Sequence, residues 1–209
     1  MTTVLQTRSQ RLISTYGSKS VSISGGSLRR KIDVVSSNWR NTQRYEQTGR
    51  TVFRGVDVLD CKTRSTIRNL PFLHNERIAE KDGLTNGGLR KAIRLLKSLR
   101  YDADKTPEIS SYDIAAIAFN MDNNALTVLR GQDLRLVQRC KLYLDAIAND
   151  NVYRELLLVP NGTRRIFGPS GATVKGLNDL RREVDRLLHE IENDLHRSFR
   201  NLAAARIEY

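Results

Sequence analysis

The sequence predicts an α+β chain, with a small antiparallel β unit over residues 1–62 and a mainly helical region over 63–209. Three observations carry this expectation. Val21 and Ile23 alternate with serines and lead through a Gly25-Gly26 turn into Leu28–Val35, LRRKIDVV, whose β-branched character continues a hairpin. Leu89, Ala92, Ile93, Leu96 and Leu99 recur at helical spacing and make one apolar stripe. Basic residues outnumber acidic ones 21 to 9 in residues 1–105, whereas residues 106–209 hold 14 of each, so the two halves differ in surface character.

Taken in order, residues 2–16 read as a short amphipathic helix through Val4, Leu5, Leu12 and Ile13, with Gly17 as its stop. The hairpin follows, then a polar stretch from Ser36 to Arg50. Thr51–Leu59 is a less regular strand candidate, so at most three or four strands are expected before residue 62. Proline tolerates a first helical position, which opens a helix at Pro71–Lys81 that Asp82-Gly83 should break. After Asn86-Gly87-Gly88 comes the helix Leu89–Arg100. Ser110 or Ser111 caps a buried helix, Tyr112–Met121, and Asp133–Asn149 and Val174–Arg206 complete the helical region. Pro160-Asn161-Gly162 and Phe167-Gly168-Pro169 are loops between them. The roughly heptad stripe of the last helix fits a coiled coil or packing on its own domain; the latter is expected, because fewer than four clean heptads are present.

The composition excludes several classes. The longest clean apolar run, Ile114–Phe119, has six residues, far short of the roughly 18 to 20 that a membrane helix needs. The polar start MTTVLQTRSQ lacks a secretory h-region, which reads as a cytoplasmic chain with Cys61 and Cys140 as free thiols. Two cysteines and three scattered histidines make no zinc framework. The net charge is +12, with 35 basic and 23 acidic residues, and the whole excess lies in the first half. Such a one-sided basic surface suits a phosphate-bearing partner, or is simply a solubilising bias.

A few residues could carry chemistry. Asp33 interrupts the apolar pattern Ile32-Asp33-Val34-Val35, where a carboxylate either binds a partner or faces solvent at a strand edge. Arg90, Arg94 and Lys97 fall at i, i+4 and i+7 on one side of a helix, as a triphosphate clamp or as a solvated face. Ser111-Tyr112 offers a hydroxyl for phosphate and a ring for a base, or a cap and a core aromatic.

Together the runs KIDVVSSNW (31–39), RGVDVLD (54–60), NLPFLHNERI (69–78), GGLRKAIRLLKSLRYDAD (87–104), ISSYDIAAIAF (109–119) and VPNGTRRIF (159–167) resemble the later part of a DNA-polymerase-β-type nucleotidyltransferase. The branch is that of bacterial nucleotide-second-messenger synthases, oligoadenylate synthase and cyclic GMP-AMP synthase. The resemblance implies that the β unit is a remnant of the catalytic sheet, with Asp33 as the third metal-ligand carboxylate for Mg2+. It implies that Lys97 reaches the triphosphate of an NTP, and that Ser111 and Tyr112 touch phosphate and stack on the base. The implied reaction moves a nucleoside monophosphate from NTP to a hydroxyl, with pyrophosphate released.

One departure bears on activity. The family's Gly-Ser turn, followed about ten residues on by an Asp-x-Asp or Asp-x-Glu pair, is not found before Asp33; Gly17-Ser18 leads to no such pair, and Asp57 and Asp60 come too late. The expectation is an incomplete or split enzyme, inactive alone, whose carboxylate pair a separate polypeptide would supply. The alternative is a non-catalytic basic module that binds RNA or DNA.

Overall fold

A computed structural model of the chain describes residues 2–7, 10–25, 28–129 and 131–205. It divides into two compact units, Met1–Leu73 and His74–Tyr209. In the first, β1 (Thr2–Thr7), β2 (Gln10–Tyr16), β3 (Val21–Gly25) and β4 (Leu28–Val34) form an antiparallel sheet in sequence order. A second antiparallel sheet holds β5 (Ser37–Arg40), β6 (Gly55–Asp60) and β7 (Ser65–Asn69).

The helix expected over residues 2–16 is a β-hairpin instead. Val4 pairs with Ile13 and Leu5 with Leu12, so the four apolar residues meet across a ladder rather than along a stripe. Thr2, Thr3, Val4, Thr7, Ile13 and Thr15 are β-branched, and their stiff χ1 favours strands. Among the described residues six strands begin before residue 62, more than the three or four expected. The strand expected from Thr51 starts only at Gly55, because Thr51–Phe53 wind into a 3-10 turn. The polar stretch 36–50 contains β5 and a helix, α1 (Gln43–Thr48). The α1 ends have local causes: the Thr42 hydroxyl accepts from the Tyr45 N–H at 3.1 Å, and Gly49, at φ 67°, returns its N–H to the Tyr45 carbonyl at 2.7 Å. Of the expected Gly25-Gly26 turn, Gly25 ends β3 at φ 90°, while Gly26 and Ser27 lie outside the described residues.

The rest of the chain is helical. α2 (Pro71–Leu84) runs past Asp82-Gly83 rather than breaking there. Asp82 serves as a junction: its carboxylate accepts the Arg90 N–H at 2.8 Å and its carbonyl accepts the Gly87 N–H at 2.9 Å, so the end of α2 caps the start of α3 (Gly88–Asp102). α4 (Ser111–Phe119) starts at an N-cap, Ser110, whose hydroxyl accepts the Asp113 N–H at 3.0 Å. Its residues Ile114–Ala118 are buried all round, which places it at the centre of the helical core. The short helices α5 (Asn123–Leu126) and α7 (Asn151–Leu156) flank α6 (Asp133–Asn149), which has the expected bounds.

The last helix, α8 (Val174–Ala205), packs on α6 and α3, as expected, rather than being left for a coiled-coil partner along its whole length. Leu177, Leu180 and Val184 are fully buried in this unit's core, each contributing about 1.5–3 kcal/mol of apolar burial. Arg206, the expected last helical residue, lies outside the described residues. No described helix is long and apolar enough to cross a membrane.

Candidate functional site

In the helical unit, one group of polar and aromatic side chains gathers around Tyr112. Tyr112 is half-buried at the second position of α4. The His74 ring of α2 stacks on it, with centroids 4.5 Å apart and planes 20° from parallel. The Arg164 guanidinium lies 5.3 Å from the Tyr112 centroid, held by its own bond to Asp113 Oδ1 at 2.6 Å. Asp113 is buried, and its other oxygen accepts the Ser110 hydroxyl at 2.6 Å, so the cap of α4 and the position of Arg164 share one carboxylate. Asn161 hydrogen-bonds the Tyr112 hydroxyl, while burial pushes that phenol's pKa up. The Asn161 loop is tied to α2 through Arg77 Nη1, which donates to the Pro160 carbonyl at 2.5 Å.

Lys97 enters this group through its charge. It is half-buried on α3, and His74 is held below the ordinary imidazole pKa first by burial and then by the Lys97 ammonium. His74 is thus stacked on Tyr112 and feels the charge of Lys97. Ser111 is exposed at the first position of α4, since Ser110 takes the capping role.

The other two cations of the α3 stripe behave differently. Arg90 Nη1 reaches Asp82 Oδ2 at 3.4 Å, so its side chain is tied to the α2–α3 junction. Arg94 is exposed one turn on, with no ion-pair partner among the described residues.

Asp33 belongs to the first unit. It pairs with Ser22 across β3 and β4 and is exposed. The Ser22 hydroxyl donates to Asp33 Oδ1, and Lys31 Nζ lies 3.6 Å from the same oxygen. The Ser22 hydrogen bond, ahead of Lys31, holds the carboxyl below its ordinary pKa, so it is charged at neutral pH. A hard divalent ion in a two-ion centre needs several converging carboxylates. Among the described residues no group of three or more His, Cys, Asp or Glu could hold a metal ion, and Asp33 is the first acidic residue of the sequence. The residues present therefore do not by themselves fit a magnesium centre.

Residues 76–196 match the family model of the cGAS/DncV-like nucleotidyltransferase C-terminal helical domain. The chain belongs to this nucleotidyltransferase family. It is 42% identical over 159 residues to the cyclic dinucleotide synthase CdnE of Yersinia aleksiciae, an alignment covering 75% of this chain and 42% of that protein. It resembles the STING-associated CdnE c-di-GMP synthase of Capnocytophaga granulosa with a TM-score of 0.70 at 26% identity, covering 84% of this chain and 56% of that one. The fold is also that of the Rhodothermus marinus CdnE c-UMP-AMP synthase, solved with Apcpp and Upnpp, at a TM-score of 0.65 and 18% identity, over 85% of this chain and 60% of that one. The chain spans less than half the length of the curated relatives it matches.

Within this CD-NTase fold, the sequence reading assigned no role to His74, Asn161 or Arg164. His74 lies in NLPFLHNERI and the other two in VPNGTRRIF, runs that carry the family resemblance. No local period links them to Tyr112: they reach it from α2 and from the loop before α8.

Proposed function

We propose that the helical unit holds a nucleoside triphosphate and serves the transfer of a nucleoside monophosphate to a hydroxyl acceptor, with release of pyrophosphate, as in the cyclic dinucleotide synthases this chain resembles. The observation that carries the reading is the half-buried Tyr112 ring, with His74 stacked on it at 4.5 Å and the Arg164 guanidinium 5.3 Å from its centroid, in the unit whose α3 carries Lys97. In this reading Lys97 meets the phosphates as a point charge and Arg94 adds a planar fork from the same face of α3. The exposed Ser111 hydroxyl donates to a phosphate oxygen, and Tyr112 stacks on the base. Arg90, tied to Asp82, adds charge without leaving the α2–α3 junction. The role of Asp33 is that of one carboxylate ligand among others that the described residues do not provide.

Calorimetric titration of each NTP into the 209-residue chain tests this. Saturable binding is expected for the wild type, weakened about tenfold or more in Lys97→Ala, since a charged hydrogen bond contributes roughly 1.5–3 kcal/mol. Lys91→Ala, a cation on the same helix that pairs instead with Asp133 at 2.9 Å, should bind as the wild type does. Absence of binding, or equal losses in both variants, would overturn the reading. Pyrophosphate release is not expected from these residues alone, and its appearance with dependence on Asp33 would show that one carboxylate suffices.

A further inference from the structure

The first unit carries a second cationic and aromatic surface that the nucleotide reading does not use. Phe72, Trp39, Arg54 and Tyr45 form a ladder. Trp39 stacks on Phe72, with centroids 5.4 Å apart and planes at 21°. The Arg54 guanidinium lies 4.5 Å from the Trp39 centroid and 5.1 Å from that of Tyr45, bridging the two rings. Arg44 adds a further cation 4.0 Å over the buried Phe53 ring. The local chain explains the assembly: Trp39 sits on β5, Arg54 immediately precedes β6, and β5 and β6 pair with Arg40 opposite Gly55. α1 brings Tyr45 and Arg44 to the same surface, and Arg54 Nε is steadied by Asn41 Oδ1 at 3.2 Å.

Trp39 is 58% exposed and Phe72 41%, although the same unit buries Phe53 to 5%. Tyr16, Ile32, Val34, Val35 and Leu59 of this unit are exposed as well. What sets Trp39 and Phe72 apart is that they stack on each other with a guanidinium over the indole, a geometry that suits a flat and anionic partner. The unit's overall charge and the guanidiniums of Arg54 and Arg44 point to an anionic partner. Residues 1–73 hold 13 basic and 4 acidic residues, a net of +9 out of +12 for the chain. Arg40 is neutralised by Asp57 at 3.0 Å, whereas neither Arg44 nor Arg54 has a carboxylate partner among the described residues. A polyanion without flat groups would use the arginines and leave the rings idle, and a duplex hides its base faces in its own stack. Single strands present phosphates and unstacked bases together.

We propose that the Phe72–Trp39–Arg54–Tyr45 ladder binds single-stranded nucleic acid, with bases stacking on the ring faces that the ladder leaves open, at its Phe72 and Tyr45 ends, and phosphates meeting Arg54 and Arg44. This surface lies wholly within residues 39–72 and does not depend on the site around Tyr112.

Trp39 is the chain's one tryptophan, so its emission reports on the ladder directly. Titrating the chain with an oligothymidylate of about fifteen nucleotides, near the upper site size of a single binding fold, should quench that emission saturably. Affinity should fall linearly in log salt with a slope of roughly −0.7 per phosphate contacted. Arg54→Lys keeps the charge and removes the planar rung, and should weaken binding about tenfold, as should Trp39→Leu followed by anisotropy of a labelled oligonucleotide. Lys175→Ala in the other unit should bind as the wild type does. The proposal is overturned by an absence of quenching, by equal affinity for inorganic polyphosphate or for a duplex, or by wild-type affinity in Arg54→Lys.

Discussion

The His74 ring lies flat on Tyr112 at a centroid distance of 4.5 Å, and its Nδ1 is buried with no hydrogen-bond partner among the described residues. Protonating this imidazole would put a second positive charge into a buried spot already facing Lys97, which is why its pKa lies below the ordinary 6.5. Folding thus favours the neutral form. The stability this contributes is complete above 6.5 and is lost as pH falls through the depressed folded value.

The first prediction follows from that sign. Between about pH 7.5 and about pH 5, the range in which histidine titrates, the Tm of the wild type should drop more steeply than that of His74→Phe. The phenylalanine keeps a stacked ring and cannot be protonated. Parallel pH profiles in thermal melts would show that His74 is not the group being titrated.

Where periodicity has one solution, the sequence was legible. The α3 stripe from Leu89 to Leu99 fits no strand, and α6 runs over the expected Asp133–Asn149. The pairs Val4-Leu5 and Leu12-Ile13 read as one face of a short helix, and that reading left out the β-branched residues around them, which favour the hairpin. β5 and α1 were hidden because Ser36–Arg50 is almost wholly polar: their exposed faces leave no apolar pattern, and α1 is signalled only by Thr42 and Gly49. Of the candidate site, the contiguous pair Ser111-Tyr112 could be singled out in the sequence, and the structure places it at the start of α4. Arg164 could not, since its approach to Tyr112 is fixed by a bond to Asp113 across 51 positions.

That bond carries a second prediction. The Asp113 side chain is 4% exposed and that of Arg164 29%. Arg164→Ala strands a buried carboxylate, with a cost of about 2–3 kcal/mol, below the fully buried range because Arg164 keeps some contact with water. Adding Asp113→Asn to Arg164→Ala removes the stranded charge and should recover part of the loss. Urea unfolding of the single and double variants decides; additive losses would mean that the two residues are not coupled.

Two glycines in neighbouring helices should respond in opposite directions. A Cβ on Gly88 would lie 1.9 Å from the Leu126 carbonyl oxygen, so Gly88→Ala must push α3 away from α5. Such overpacking costs about 1–3 kcal/mol. Gly83, inside α2, has nothing within 4 Å of its would-be Cβ, and alanine there should add about 0.5–1 kcal/mol by reducing the freedom of the unfolded chain. Denaturant midpoints moving the same way for both variants would contradict the close packing of α3 on α5.

The thiols give a last prediction, in which burial alone sets reactivity. Cys140 is fully buried in α6, and burial pushes its thiol up to about 12. Cys61 is exposed, at the end of β6. The thiolate is the reactive form, so at mildly alkaline pH a water-soluble disulfide reagent should titrate Cys61 quickly and Cys140 only as fast as the helical unit opens. Cys61→Ser should abolish the fast phase and leave the slow one, and urea should merge the two phases in the wild type. A fast reaction at Cys140 in the Cys61→Ser variant would mean that α6 is not packed against α3 and α8 as the buried Leu136, Leu144 and Leu180 require.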